Sequence, residues 1–205
     1  MYRTIKFFML ALLGGWGLSG CYPGGAEFTE DIDAVYTNHL ANFDFQGKST
    51  YALPDKIVVD VQVQNDGDTV YVYMKDAYAQ PLLNAIDANM SSLGWTKVDV
   101  NNNPDIVVTP AGIKNTTYFY SYWYCWWYGG YWGWYYPPYY TVSSYTTGSF
   151  IMVMADPTPD DSAINQSPAA WVAVGNGLFT GNNDLNRALG AIDQAFAQSP
   201  YLKTN

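Results

Sequence analysis

A stretch of 23 residues, from Tyr118 to Tyr140, constrains the fold more than any other part of the chain. It reads YFYSYWYCWWYGGYWGWYYPPYY, and 16 of these residues are Tyr, Trp or Phe while none is charged. Each Tyr and Trp keeps one polar group that needs a partner, so this many rings do not fit a sealed core. The stretch also lacks the charge and low hydrophobicity that are typical of disordered segments.

Two structures for this stretch remain open. The first is a long hairpin whose rings pack across the two strands, with Gly129 and Gly130 at the turn. The second is an exposed aromatic surface for a glycan, a protein or lipid headgroups. Without Lys or Arg, the stretch does not fit a single-stranded nucleic-acid platform, which needs a cationic groove. We predict an aromatic hairpin over residues 118–140. Its predicted contact surface comprises Tyr122, Trp123, Trp126, Trp127, Tyr131, Trp132, Trp134 and Tyr135.

The first 20 residues have the features of a bacterial lipoprotein signal peptide. An apolar run follows Arg3 and Lys6 and is too short for a membrane span. The run ends in Leu-Ser-Gly-Cys, which resembles the lipobox of bacterial lipoproteins and predicts that Cys21 is lipidated. A plain signal peptide followed by a chance cysteine is the alternative. Acyl chains contribute about 0.8 kcal/mol per buried CH₂, so we expect a stable anchor in the cell envelope, at the outer membrane.

Loss of the signal peptide makes the protein more acidic. The full chain has nine basic and 18 acidic residues. Without Arg3 and Lys6, seven basic residues remain against 18 acidic ones, a formal net charge of −11. Such a surface repels nucleic acid and anionic headgroups. We therefore expect no nucleic-acid partner, and we expect the lipid rather than charge to hold the protein at the membrane.

The rest of the chain has the length of one domain. Residues 27–33 are acidic and polar, and residues 21–33 are predicted to be a lipid-attached tether. Residues 34–205 are predicted to form a single domain that contains the aromatic hairpin. Once Cys21 carries lipid, Cys125 has no intramolecular disulfide partner. It is then either a small apolar residue between rings or a thiol that forms an intermolecular disulfide.

Alternating apolar residues predict several strands. Residues 57–64 and 70–74 alternate with period two around Asp66-Gly67, which indicates a hairpin. Further strands are predicted at residues 95–100, 105–113, 148–155 and 169–179. The last two contain long apolar runs that are typical of buried strands.

Two helices are predicted from apolar stripes. The first spans Ala77–Leu93 and ends before Gly94. Because Pro81 fits only a first turn, we expect the regular part of this helix to start near Gln80. The second follows residues 181–183 and is closed by Pro200. The stripe of the first helix is Tyr78, Leu82, Ile86, Met90 and Leu93, and that of the second is Leu185, Leu189, Ile192 and Phe196. The order of elements predicts an α+β fold, a two-layer sandwich in which a mainly antiparallel sheet carries two helices on one face and a protruding aromatic hairpin.

Several short motifs follow one another along the chain. They are Lys48–Asp55, Gly94-Trp95, Asn103–Val108, Gly148–Asp156 and Ser199-Pro200. Their order resembles that of a bacterial lipoprotein family, domain of unknown function 4136. The resemblance covers most of the chain after the signal peptide. It implies a two-layer α/β sandwich on a lipid tether and supplies no catalytic residues.

Two functions are compatible with these features. The first is a lipid-anchored envelope protein that acts as a binding or assembly module, with a cell-wall glycan or an envelope protein as its partner. The alternative is an envelope hydrolase that uses the aromatic rings as a sugar platform. The sequence has no nucleophile elbow and no recognisable carboxylate pair, and His39 is its single histidine. We therefore predict no enzyme activity, no catalytic or metal-ligating residues and no cofactor.

Overall fold

The fold is known from a computed structural model, which describes residues 34–64, 69–113, 148–157, 169–179 and 184–204. Within these residues, eight strands form one sheet and two helices pack together on one of its faces. The strands are β1 (Val35–His39), β2 (Thr50–Ala52), β3 (Val58–Val63), β4 (Thr69–Tyr73), β5 (Thr96–Lys97), β6 (Ile106–Ile113), β7 (Ser149–Ala155) and β8 (Ala169–Gly175). The helices are α1 (Asp76–Ser92) and α2 (Asp184–Ala197).

The sheet has the order β1-β8-β7-β6-β2-β5, and the β3–β4 hairpin joins it through the carboxyl-terminal part of β6. The pairs β1–β8, β8–β7, β7–β6 and β3–β4 are antiparallel, whereas β2 runs parallel to both β5 and β6, and β3 runs parallel to β6. The predicted α+β sandwich is confirmed, but the sheet is mixed. Parallel pairing arises because the chain from β2 to β5 crosses over through α1.

Burial on both faces of the sheet explains the long apolar runs of the central strands. On β7, Phe150, Met152 and Met154 belong to the cluster that also contains the buried faces of α1 and α2. Ile151 and Val153 belong to a second cluster, on the opposite face of the sheet. Since successive side chains of a strand point to opposite faces, a strand buried on both sides needs an uninterrupted apolar run.

Helix α1 begins at Asp76, so the prediction of a start near Gln80 was wrong. Pro81 lies inside the helix, where it removes one backbone hydrogen bond. The helix continues through it because Ala79 and Leu82, on either side, are buried in the core and their packing outweighs the lost bond. The predicted end is confirmed by Gly94, whose φ of 94° lies in the left-handed region that favours glycine.

Two predicted strands are shorter than expected. The strand expected at residues 95–100 is reduced to β5, because the Asp99 side chain accepts a hydrogen bond from the N–H of Asn101 and starts a 3₁₀ turn. The strand expected at residues 169–179 ends at Gly175, and Gly177 has a φ of 66° in the turn that follows.

The chain after α2 closes the core with hydrogen bonds to two buried indoles. The Trp171 Nε1–H donates to Ser199 Oγ at 2.9 Å, and the Trp95 Nε1–H donates to the Leu202 carbonyl at 2.7 Å. Both Trp side chains are almost fully buried, so these bonds remove the penalty of an unpaired buried donor.

Candidate functional site

A groove with a volume of about 440 Å³ opens at one end of the sheet, where four parts of the chain meet. It is lined by residues of β3, of the β4–α1 junction, of the adjoining ends of β6 and β7, and of the connection from β8 to α2. Its volume lies in the range of about 300–1,000 Å³ that is typical of small-molecule sites.

A β-bulge shapes the side of the groove formed by β3. Val58 pairs with Tyr73 and Asp60 with Val72, so Val59 is an extra residue in the ladder. Bulges redirect side chains, and Val59 lines the groove. It does so beside Gly112, where an added Cβ would lie 3.1 Å from Val59 Cγ1 and 3.3 Å from Met74 Cε. A glycine at position 112 therefore allows these side chains to approach β6.

Aromatic side chains form much of the groove surface. Tyr73 and Tyr78 line it while remaining 40% and 44% exposed. Phe179 lines it as well and packs edge-on against Phe150, with ring centroids 6.3 Å apart. The Phe179 N–H donates to the Gly148 carbonyl at 3.0 Å. This bond and the ring contact hold Phe179 in place, whereas the two tyrosines present apolar area to solvent.

The charged groups around the groove are Lys75, Lys56 and Asp184. Lys75 and Asp184 line it, and Lys56 Nζ lies 5.1 Å from the centre of the Tyr73 ring. Asp184 forms an ion pair with Arg187, with Oδ1 and Nη1 3.9 Å apart. No ion pair of Lys75 is found within the described ranges. Lys75 is therefore a lining charge that a bound ligand could pair with.

The connection that contains the aromatic segment, residues 114–147, begins and ends beside this groove. Ile113 and Gly148, which flank residues 114–147, both line the groove, and the Gly148 N–H donates to the Ile113 carbonyl at 2.7 Å. The predicted hairpin 118–140, the turn at 65–68, Cys21 and Cys125 lie outside the described residues. So do all predicted contact residues: Tyr122, Trp123, Trp126, Trp127, Tyr131, Trp132, Trp134 and Tyr135.

A cluster of polar side chains lies at the opposite end of β6 and β7. Asp105 Oδ2 accepts hydrogen bonds from the Ser49 N–H at 2.9 Å, and from the Thr50 N–H and Oγ1–H, both at 2.8 Å. Lys48 Nζ bonds to Asp156 Oδ2 at 2.8 Å. Burial raises the pKa of Asp105, but these donors and the Lys48 charge outweigh it and leave the pKa below its ordinary value.

Tyr51 forms a further polar contact between β2 and α1. Its buried hydroxyl donates to Asp87, whose carboxylate also lies 3.8 Å from Lys97 Nζ. Burial, together with the hydrogen bond and the charge of Asp87, raises the pKa of Tyr51. The phenol therefore stays protonated and ties the sheet to the helix.

Neither a metal site nor a membrane-spanning helix is found in the part of the chain that the structure describes. No group of three His, Cys, Asp or Glu side chains there could hold a metal ion. None of its helices combines the length and the apolar character that crossing a membrane requires. His39 is exposed and stacks on Tyr201, with ring centroids 3.9 Å apart.

Comparison with known proteins assigns the chain to a family. The family described as Domain of unknown function (DUF4136) matches residues 35–201. The chain belongs to this family. A solved DUF4136 family protein from Bacteroides thetaiotaomicron is 32% identical, with coverage of 83% of this chain and 97% of that chain and a TM-score of 0.62. A PelC dodecamer from Paraburkholderia phytofirmans is 11% identical, with coverage of 84% and 98% and a TM-score of 0.39. No curated protein matches the chain.

The structure explains why the motifs that resemble DUF4136 are structural. Three of them meet in the polar cluster. Lys48, Ser49 and Thr50 belong to the motif Lys48–Asp55, Asp105 belongs to Asn103–Val108, and Asp156 belongs to Gly148–Asp156. The cluster fixes the start of β2 against β6 and against the end of β7. In this DUF4136 domain, hydrogen-bond donors and carboxylates of these three motifs bind each other, which gives the residues of the polar cluster a structural role.

Sequence reasoning missed the groove of the DUF4136 domain. Tyr78 was predicted in the core stripe of α1, but it is 44% exposed because it lies in the first turn, ahead of the first buried residue, Ala79. Gly112 inside an apolar strand was an available signal, since glycine within a strand often marks close backbone approach. The bulge at Val59 coincides with three consecutive apolar residues, 57–59, which interrupt the alternation but do not by themselves identify a bulge.

Proposed function

We propose that this DUF4136 protein is a lipid-anchored cell-envelope protein that acts as a binding or assembly module. Its contact surface is the aromatic segment 118–140, and its partner is a cell-wall glycan or an envelope protein. Cys21 carries the lipid, and the outer membrane is the site of the anchor. The proposal assigns the protein no catalytic step.

One observation carries this proposal. Ile113 and Gly148, which flank the connection that contains the aromatic segment, are joined by a hydrogen bond beside a groove that presents Tyr73 and Tyr78 to solvent. The connection therefore begins and ends at the same end of the domain as the groove. Contiguous apolar surface with a polar rim is typical of contact sites, and Tyr and Trp supply a large share of interface energy.

The length of the tether is compatible with contact close to the membrane. Thirteen residues, 22–34, separate Cys21 from the first residue of β1. Fully extended, they would span at most about 45 Å. A domain on such a tether stays near the membrane that holds the lipid, so we expect its partner within the same compartment.

Replacing residues 123–136 with Asn-Gly tests the contact role. In a soluble form that starts after Cys21, we expect the shortened protein to unfold at nearly the same urea concentration as the parent. We also expect it to lose binding to purified cell-wall sacculi and to envelope proteins in a pull-down. Tyr36→Ala is the matched control, because Tyr36 is 42% exposed and does not line the groove. Collapse of the shortened protein, or full retention of binding, would contradict the contact role.

Cys21→Ala tests the anchor. In cells labelled with a radioactive fatty acid, we expect the parent protein to carry label and to sediment with membranes. The variant should lose the label and either leave the membrane fraction or remain unprocessed. Equal labelling of both proteins would show that Cys21 is not the lipidated residue.

A further inference from the structure

We propose that the groove beside Ile113 and Gly148 is a binding site for a small amphiphile that has an apolar body and one anionic group. The body is an aromatic ring or a short acyl chain. This site goes beyond the contact role proposed above, because the residues that form it belong to the described domain and lie outside segment 118–140.

The walls of the groove favour an apolar body. Tyr73 and Tyr78 expose ring faces on it, Phe179 adds a third ring, and Val59 and Met74 supply aliphatic contacts. Burying such exposed apolar area contributes about 25 cal/mol per Å². A ligand ring can also stack on these side chains in offset or edge-on geometry, an interaction that an acyl chain cannot make.

The charge at the groove favours an anion. Lys75 lines the groove and makes no ion pair among the described residues, and Lys56 adds a second positive charge near Tyr73. The lining carboxylate, Asp184, is already paired with Arg187. A positive site of this kind is unusual on a chain with nine basic and 18 acidic residues. A carboxylate or similar group that reaches Lys75 would form a charge-assisted hydrogen bond, whereas a neutral ligand would leave the lysine unpaired.

The groove is held open by the backbone. The bulge places Val59 on its wall, and the absence of a side chain at Gly112 lets Val59 and Met74 pack closely against β6 there. Gly148 has a φ of 87°, a conformation that other residues rarely adopt. Its carbonyl also fixes Phe179 through the 3.0 Å hydrogen bond. The site is therefore largely formed before a ligand binds, which lowers the entropic cost of binding.

A matched set of probes tests the proposal on the full-length lipidated protein in nanodiscs, with empty nanodiscs as the blank. The probes are 4-phenylbutyrate, 4-phenylbutanol and 4-phenylbutylammonium, which share one body and differ in charge, and binding is measured by ligand-observed NMR titration. We expect 4-phenylbutyrate to bind about tenfold more tightly than the alcohol, and the ammonium compound to bind most weakly. Octanoate forms a second arm and separates an acyl ligand from a ring-bearing one.

Variants assign the binding to the groove. Lys75→Gln should lower the affinity for 4-phenylbutyrate to that of the alcohol, whereas Lys203→Gln, at an exposed lysine that does not line the groove, should leave it unchanged. Tyr78→Ala should weaken the binding of all probes. Because Tyr78 is 44% exposed, we expect this variant to fold. Equal affinity for the anion and the alcohol, no binding, or an unaffected Lys75→Gln would overturn the proposal. The form shortened at residues 123–136 should still bind the anion, so failure of the contact role is a separate result.

Discussion

The carboxylate of Asp105 offers the sharpest test of how this domain is held together. It accepts hydrogen bonds from the Ser49 N–H, the Thr50 N–H and the Thr50 hydroxyl, 55 or 56 residues away in sequence. The Asp105 N–H in turn donates to Thr50 Oγ1 at 3.0 Å. We expect Asp105→Ala to destabilise the protein because it removes the acceptor that fixes the start of β2.

The geometry gives the size of this effect. Hydrogen bonds to a charged group contribute about 1.5–3 kcal/mol each when buried. The Ser49 N–H is exposed, so water replaces the lost partner there, whereas the two Thr50 donors are partly buried. Solvent also screens the carboxylate. We therefore assign to the two Thr50 donors together a stabilisation little larger than that of one fully buried hydrogen bond. The expected loss in the free energy of unfolding is about 2–3 kcal/mol.

Asp105→Asn separates charge from shape, since the amide oxygen can still accept hydrogen bonds. In the folded state, burial acts to raise the pKa of Asp105, but the hydrogen bonds from Ser49 and Thr50 outweigh burial and hold the pKa below its ordinary value. A lowered pKa stabilises the folded state fully above the unfolded pKa, and this contribution is lost as the pH falls through the folded pKa. The stability gap between the parent and Asp105→Asn should thus be constant near pH 7 and shrink below about pH 4.

Urea denaturation of the soluble form, followed by far-ultraviolet circular dichroism at pH 7 and at pH 3, measures both effects. Asp99→Ala is the matched control, because the Asp99 side chain bonds to Asn101, two residues away, and links no distant strands. The role given to this carboxylate is wrong if Asp105→Ala lowers the free energy of unfolding by no more than Asp99→Ala does. It is also wrong if the difference in stability between the parent and Asp105→Asn is equal at both pH values.

Three further substitutions test the core and the base of the aromatic segment by the same denaturation assay. Ser199→Ala should lower the free energy of unfolding by about 1–3 kcal/mol, because it leaves the buried Trp171 N–H unpaired. An unchanged free energy of unfolding would contradict the 2.9 Å hydrogen bond. Phe196→Ala should cost about 3–5 kcal/mol, whereas the exposed Gln194→Ala should be near neutral; similar values for both would mean that α2 is wrongly placed. Gly148→Ala should cost about 1–2 kcal/mol, since its φ is 87°; no loss would show that the turn relaxes.

Much of the fold could be predicted from local patterns. The apolar run of β7 predicts a strand buried on both faces, and the structure confirms this. The stripe of α1 identified Leu82, Ile86 and Met90, all fully buried. These predictions succeed because side-chain periodicity alone determines which face of an element is apolar.

Long-range pairing and the groove could not be predicted in this way. The parallel pairing of β2 with β5 and β6 depends on the path of the chain through α1, which periodicity does not report. Periodicity also gives the face on which Tyr78 lies but not how far along α1 the core extends. The groove needs the bulge at Val59 and Gly112 to meet in space, although they lie 53 positions apart in the sequence.

The hydrogen bond that joins Gly148 to Ile113 has a consequence for how freely this end of the protein can vary. It closes the 34-residue connection at its base, in continuation of the β6–β7 ladder. The entropic cost of closing a connection grows only with the logarithm of its length, so doubling or halving it changes the free energy by about 0.6 kcal/mol. The closure at Ile113 and Gly148 thus depends little on the length of the connection. The same hydrogen bond could end connections of very different lengths at this edge of the sheet.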